Sequence, residues 1–188
     1  MASSETATTY ISGLIRVLNK IDDDQVAPIL SVLDDALERR ARIFVIGNGG
    51  SAATASHMCS DLGIGLKRRG LANFDIWSLA DNIAVSTALS NDLSYEDVFA
   101  AQLEGLLQPS DVLIAFSASG NSPNIISAVR LANQVGATVI GCTGFDGGLL
   151  LKLADVSFHV ETPMGAYGIV EDAHLVLNHI LYNHYAQR

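Results

Sequence analysis

Ile43-Phe44-Val45-Ile46-Gly47-Asn48-Gly49-Gly50-Ser51-Ala52 decides the fold. An apolar run of the kind found in buried strands ends in glycines and a hydroxyl, and a helical pattern follows. The motif recurs as Val112-Leu113-Ile114-Ala115-Phe116 running into Ser117-Ala118-Ser119-Gly120-Asn121-Ser122. A strand, a small-residue loop and a helix start place backbone N–H groups, hydroxyls and a helix N-terminus around an anion. Two such loops predict a phosphorylated small molecule held from two sides.

Outward from these loops the chain alternates β and α. The expected strands are 42–46, 74–79, 111–116, 137–142 and 156–161. Helices are expected at 51–64, 83–90, 95–107, 122–135 and 168–186, with a helical turn near 148–153. The strands are nearly continuous in Val, Ile and Phe, which suits parallel strands covered on both faces. Before them, residues 4–20 and 24–40 carry apolar stripes at helical spacing, and Asp22-Asp23-Asp24 offers a cap for the second helix. The expected fold is α/β: a doubly wound, five-stranded parallel sheet of Rossmann-like form with two leading helices. Its length favours one domain over 1–188, with 1–40 a helical extension and 41–188 the α/β core. In such sheets ligands bind at the carboxyl ends of strands, at the switch point.

Composition narrows the function. Apolar residues make up 49 % and charged residues 16 %, which predicts a sizeable core and excludes disorder. A net charge of −9 argues against nucleic acid and anionic membranes as partners. No secretory n-region and no bilayer-length apolar run is evident, and Cys59 and Cys142 show no metal-type spacing. A reduced, cytoplasmic protein follows, with both cysteines as packing residues.

The first loop also satisfies G-x-G-x-x-A, a dinucleotide fingerprint. That fingerprint wants an acid about 20 positions on, and Lys67-Arg68-Arg69 stand there instead. The hydroxyls of Ser117, Ser119 and Ser122 suit a phosphate monoester better, so no nucleotide cofactor is expected. His57 and Asp61 lie four apart, on one helix face, where they can share a divalent metal or act as an acid/base pair. The last helix carries Glu171, His174, Asn178 and His179 among apolar residues. By helix geometry alone His174 is the easier partner for Glu171, since His179 lies about 12 Å along the axis. His159 and His184 read as structural or surface residues.

These loops, with Asn91-Asp92 and Thr143-Gly144 through Asp146-Gly147-Gly148, resemble the sugar isomerase (SIS) domain family, and most nearly the phosphoheptose isomerases. The resemblance covers nearly the whole chain. It implies an aldose–ketose isomerase that converts sedoheptulose 7-phosphate to a heptose 7-phosphate through an enediolate. It also implies a homotetramer with active sites at subunit interfaces, and zinc. Carried over by position, Asn48, Gly49, Gly50, Ser51, Ser117, Ala118, Ser119 and Ser122 would contact the substrate and its phosphate. Asn91 and Asp92 would hold the sugar. His57, Asp61, Glu171 and His179 would be the metal set, with Asp61, Glu171 and His179 catalytic and Glu171 also against the substrate.

Several positions depart from the family. Asp61 stands for a glutamate, Glu171 for a glutamine, Gly65 for an arginine, Gly168 for an aspartate and Ala118 for a threonine. Lys67 or Arg68 offers a substitute for the missing arginine. The alternative that these departures raise is a non-catalytic sugar-phosphate sensor or partner-binding regulatory protein. A dinucleotide-dependent enzyme, resting on the first loop alone, comes third.

Overall fold

The computed structural model describes residues 6–188; the start of the first expected helix, residues 4 and 5, lies outside them. The elements run α1 (Thr6–Leu18), α2 (Asp23–Arg39), β1 (Arg42–Gly47), α3 (Gly50–Met58), a π-helical segment (Cys59–Gly65) and α4 (Leu66–Arg68). Then come β2 (Asp75–Ser78), α5 (Ile83–Asp92), a 3-10 turn (Tyr95–Asp97), α6 (Ala100–Leu103), β3 (Val112–Ser117) and α7 (Pro123–Val135). The chain ends with β4 (Thr138–Phe145), α8 (Leu150–Leu153), β5 (Val156–Glu161) and α9 (Tyr167–Ala186).

All five strands are parallel, in the order β2-β1-β3-β4-β5. Successive strand side chains point to opposite faces, and both faces of β1, β3 and β4 are covered, which is why those strands read as nearly unbroken apolar runs. On one face Ile43, Val45, Val112, Ile114 and Phe116 pack with residues of α2, α3 and α9. On the other, Phe44, Ile46, Leu113 and Ala115 pack with α6, α7 and α8. Every residue of β3 is buried. Each large side chain so buried contributes about 1.5–3 kcal/mol. Asp22 caps α2 as expected, its Oδ1 accepting from the N–H of Gln25 at 3.1 Å.

Two helices differ from expectation. The helix expected over 51–64 is α at first and then widens to π from Cys59. Glycine is a poor helix former, and Gly63 also sits so close to β2 that a Cβ there would lie 3.0 Å from Ile76 Cγ2. The expected helix 95–107 is two short pieces, and α6 ends where Glu104 turns to an extended ψ of 125°. Among the described residues no helix is long and apolar enough to cross a membrane.

Candidate active site

The strand order reverses between β1 and β3, and Gly47 pairs in register with Phe116. The two small-residue loops therefore leave the sheet side by side at the switch point, as anticipated. Between them lies a cavity of about 220 Å³. Asn48, Gly49, Gly50 and Ser51 line it from the first loop, and Ser117, Ala118, Ser119 and Ser122 from the second. Glu171 and Tyr167 close it from α9. No side chain caps α3, so its start keeps N–H groups for an anion, whereas at α7 Pro123 has no N–H and that of Ile125 donates to Asn124 Oδ1 at 3.0 Å. A larger recess, of about 1280 Å³, runs along β2, away from the two loops. Lys67 lines that recess and not the loop cavity, so it does not stand in for the missing arginine within this pocket.

Side chains beyond the loops hold them in place. Asn48 and Asn124 exchange amide hydrogen bonds, both at 2.9 Å. Tyr95 Oη donates to Asn48 Oδ1 at 2.8 Å. Ser117 Oγ and Ser122 Oγ lie 3.4 Å apart across the second loop. Asn124, Tyr95 and Tyr167 escaped the sequence reading. Asn124 is a buried amide just after the helix-starting Pro123.

A second cluster joins α3, the π segment and α9. His57 Nε2 is 3.1 Å from Asp61 Oδ2, and His179 Nε2 is 3.4 Å from His57 Nε2. One donor atom from each of His57, Asp61 and His179 falls within 4.8 Å of the others. Two imidazole nitrogens and one carboxylate oxygen make a donor set suited to zinc with a position left open. Asp61 Oδ2 also accepts from Asn178 Nδ2 at 2.9 Å. Cys59 is not among these ligand atoms, and burial pushes its thiol up to about 12. Burial raises Cys142 too, and both cysteines are packing residues.

Glu171, expected in the same metal set, lies outside this trio in the structure. It sits two turns before His179, and its carboxyl packs on the first loop. A Cβ on Gly50 would lie 2.3 Å from Glu171 Cδ, so a side chain at position 50 would displace the Glu171 carboxyl. Burial, and then the charge of Asp172, hold the Glu171 carboxyl above its ordinary range. Tyr10 Oη donates to Asp172 Oδ2 at 2.7 Å, and that bond is the main reason its phenol is pushed up to about 12.

His174, the partner that helix spacing favoured for Glu171, is fully buried instead. Its Nε2 lies 3.4 Å from the carbonyl of Thr143, and burial pushes its pKa down to about 4. His159 is tied through Nδ1 to Thr143 Oγ1 at 2.9 Å, and His184 packs edge-on against Tyr185. Asn91 and Asp92 close α5, exposed and bonded to each other at 2.8 Å. They do not line the loop cavity.

The SIS domain family model matches residues 9–144. The phosphoheptose isomerase of Geotalea daltonii is 36 % identical over 163 residues, covering 84 % of this chain and 80 % of that protein. A probable phosphoheptose isomerase of Thermoplasma acidophilum is 33 % identical over 177 residues, covering 93 % and 94 %. The solved phosphoheptose isomerase of Neisseria gonorrhoeae superposes with a TM-score of 0.88 at 27 % identity, covering 98 % of both chains. With loops, sheet order and relatives in agreement, the chain belongs to the SIS-domain family and, within it, to the phosphoheptose isomerases.

Proposed function

We propose that this protein interconverts an aldose and a ketose phosphate, taking sedoheptulose 7-phosphate to a heptose 7-phosphate through an enediolate. The observation that carries the reading is the paired-loop cavity at the switch point, closed by a carboxylate from α9. Ser51, Ser117, Ser119 and Ser122 hold the phosphate together with the uncapped start of α3. Asn48, Gly49, Gly50 and Ala118 shape the wall, while Asn91 and Asp92 bind the sugar where it extends beyond the cavity.

His57, Asp61 and His179 would hold a zinc ion. When bound, the ion would polarise the carbonyl and hydroxyl oxygens and stabilise the developing oxyanion. Asp61 is engaged by His57 and Asn178, whereas the Glu171 carboxyl faces the cavity. Glu171 therefore takes the proton from the carbon beside the carbonyl and returns it to the neighbouring carbon. Its burial suits the task, since a carboxylate held above its usual range is a stronger base. Asp61 and His179 orient the sugar oxygens and move the hydroxyl proton.

The whole chain acts as one SIS domain in the cytoplasm, with residues 1–40 as its helical extension. It assembles as a homotetramer with active sites at subunit interfaces. Supporting this, α5 has no buried residue and leaves Ile83 75 % exposed, while α1 exposes Ile11 and Ile15. Incubation with sedoheptulose 7-phosphate in deuterated water, with and without zinc, tests the reading. Proton NMR should show aldose signals and deuterium beside the carbonyl. Binding without any exchange would favour the sensor alternative.

A further inference from the structure

We infer that Asn178 is a positioning residue: its buried amide holds the Asp61 carboxylate in the orientation that the metal site and turnover require. The inference rests on the functional reading above and extends it to a residue outside the cavity and the trio. Asn178 is completely buried on a face of α9 whose other members include Val170, Ala173, Leu177 and Leu181. An apolar side chain there would bring no polar atom of its own to leave unpaired. The amide instead leaves Oδ1 buried with no hydrogen-bond partner, a standing cost to stability. What it gains is the 2.9 Å bond from Nδ2 to Asp61 Oδ2. An ionised carboxylate only accepts, so the amide must turn Nδ2 toward it, and the unmatched Oδ1 is the consequence.

That bond meets Asp61 from the interior, while His57 meets the same oxygen at 3.1 Å from the side of the site. The Asp61 side chain is 23 % exposed, so without the amide it is free to swing toward water. Hydrogen bonds to a ligating carboxylate fix its direction, and their loss typically weakens metal binding or activity about 10–100-fold. An amide does this at every accessible pH, since it has no proton to lose. Asn178 thus acts through Asp61 and touches neither substrate nor metal.

The test is a double-mutant cycle in the full chain: Asn178→Leu, Asp61→Ala and the pair together. Cobalt(II) binding is read from its visible absorption, turnover from sedoheptulose 7-phosphate, and melting temperature in chelator. Asn178→Leu should weaken cobalt binding and lower kcat, each about 10–100-fold. KM should stay within about twofold, and the melting temperature in chelator should hold or rise. In the Asp61→Ala background the same change should do nothing more. Cobalt affinity and kcat within about twofold of the parent would overturn the inference, as would an undiminished loss without Asp61. If Asn178→Leu fails to fold, Asn178→Ala makes the same comparison. A parent protein that turns over but binds no cobalt overturns the metal reading alone, and the kcat cycle then decides. A parent that does neither removes the isomerase reading and this inference with it.

Discussion

The loop cavity draws its donors from backbone and short hydroxyls on two neighbouring strands. The His57–Asp61–His179 trio draws its donors from side chains on two helices, with His57 and His179 122 positions apart in sequence. The cavity is a local product of chain direction: wherever parallel strands end and helices begin, N–H groups point outward. The trio depends on α9 docking against α3, and it is exposed on one flank, with His57 44 % open to solvent. The first loses one contact at a time when a hydroxyl is removed; the second fails as a unit when any one of its side chains is lost.

Breaking the trio should have the largest effect. Alanine at His57, Asp61 or His179 should lower kcat on the order of a thousandfold or more, because several kcal/mol of oxyanion stabilisation go with the metal. Stopped-flow or NMR rates report this, and melting in chelator should barely change. A fold that collapses would show the trio to be structural.

His174 lies on the helix that serves both regions. Its pKa falls from the ordinary 6.5 to about 4 because burial disfavours the charged form. The unfolded chain therefore takes up a proton that the folded chain refuses. Stability from this residue is complete above about pH 6.5 and drains away as the pH falls toward 4, by roughly 3 kcal/mol in all. Denaturant titrations from pH 7 to pH 4 should show this loss, reduced in His174→Asn. Equal slopes in both proteins would remove His174 as the cause.

Glu171 shares α9 with His179 but faces the loop cavity, and Glu171→Gln sharpens the comparison. It should cut kcat about a hundredfold with KM nearly unchanged, since the amide keeps the shape and loses the base. Retained turnover would move the base into the trio, to Asp61. Ser119→Ala should do least: about a tenfold rise in KM with kcat kept, the signature of a lost ground-state contact to phosphate. A fall in kcat with steady KM would place Ser119 nearer the reacting carbons.

The two regions were unequally legible in the sequence. Gly47–Ser51 and Ser117–Ser122 announce the cavity because each is contiguous and follows its own strand. Parallel order and the switch point followed from βα alternation. His57 with Asp61 was readable from a spacing of four, but pairing them with His179 took resemblance to a family. Helix spacing pointed to His174, which the fold buries, because spacing says which residues share a face and not which face meets the sheet. Asn124 and Tyr95 steady Asn48 across 76 and 47 residues, and no local pattern encodes such contacts. The break at Cys59 was hidden because α and π turns share their composition.

That π turn carries Asp61 and behaves as a single-residue insertion absorbed into a continuous rod. Deleting one residue between Leu62 and Gly65 would let the rod close up as α-helix. Everything after it would turn by about 100° and slide by about 1.5 Å. His57, upstream, would keep its place, while α4 with Lys67 and Arg68 would be aimed at a different part of the surface. Chain length here works as a rotary setting: evolution can re-aim the basic end of this helix by counting residues, without changing one.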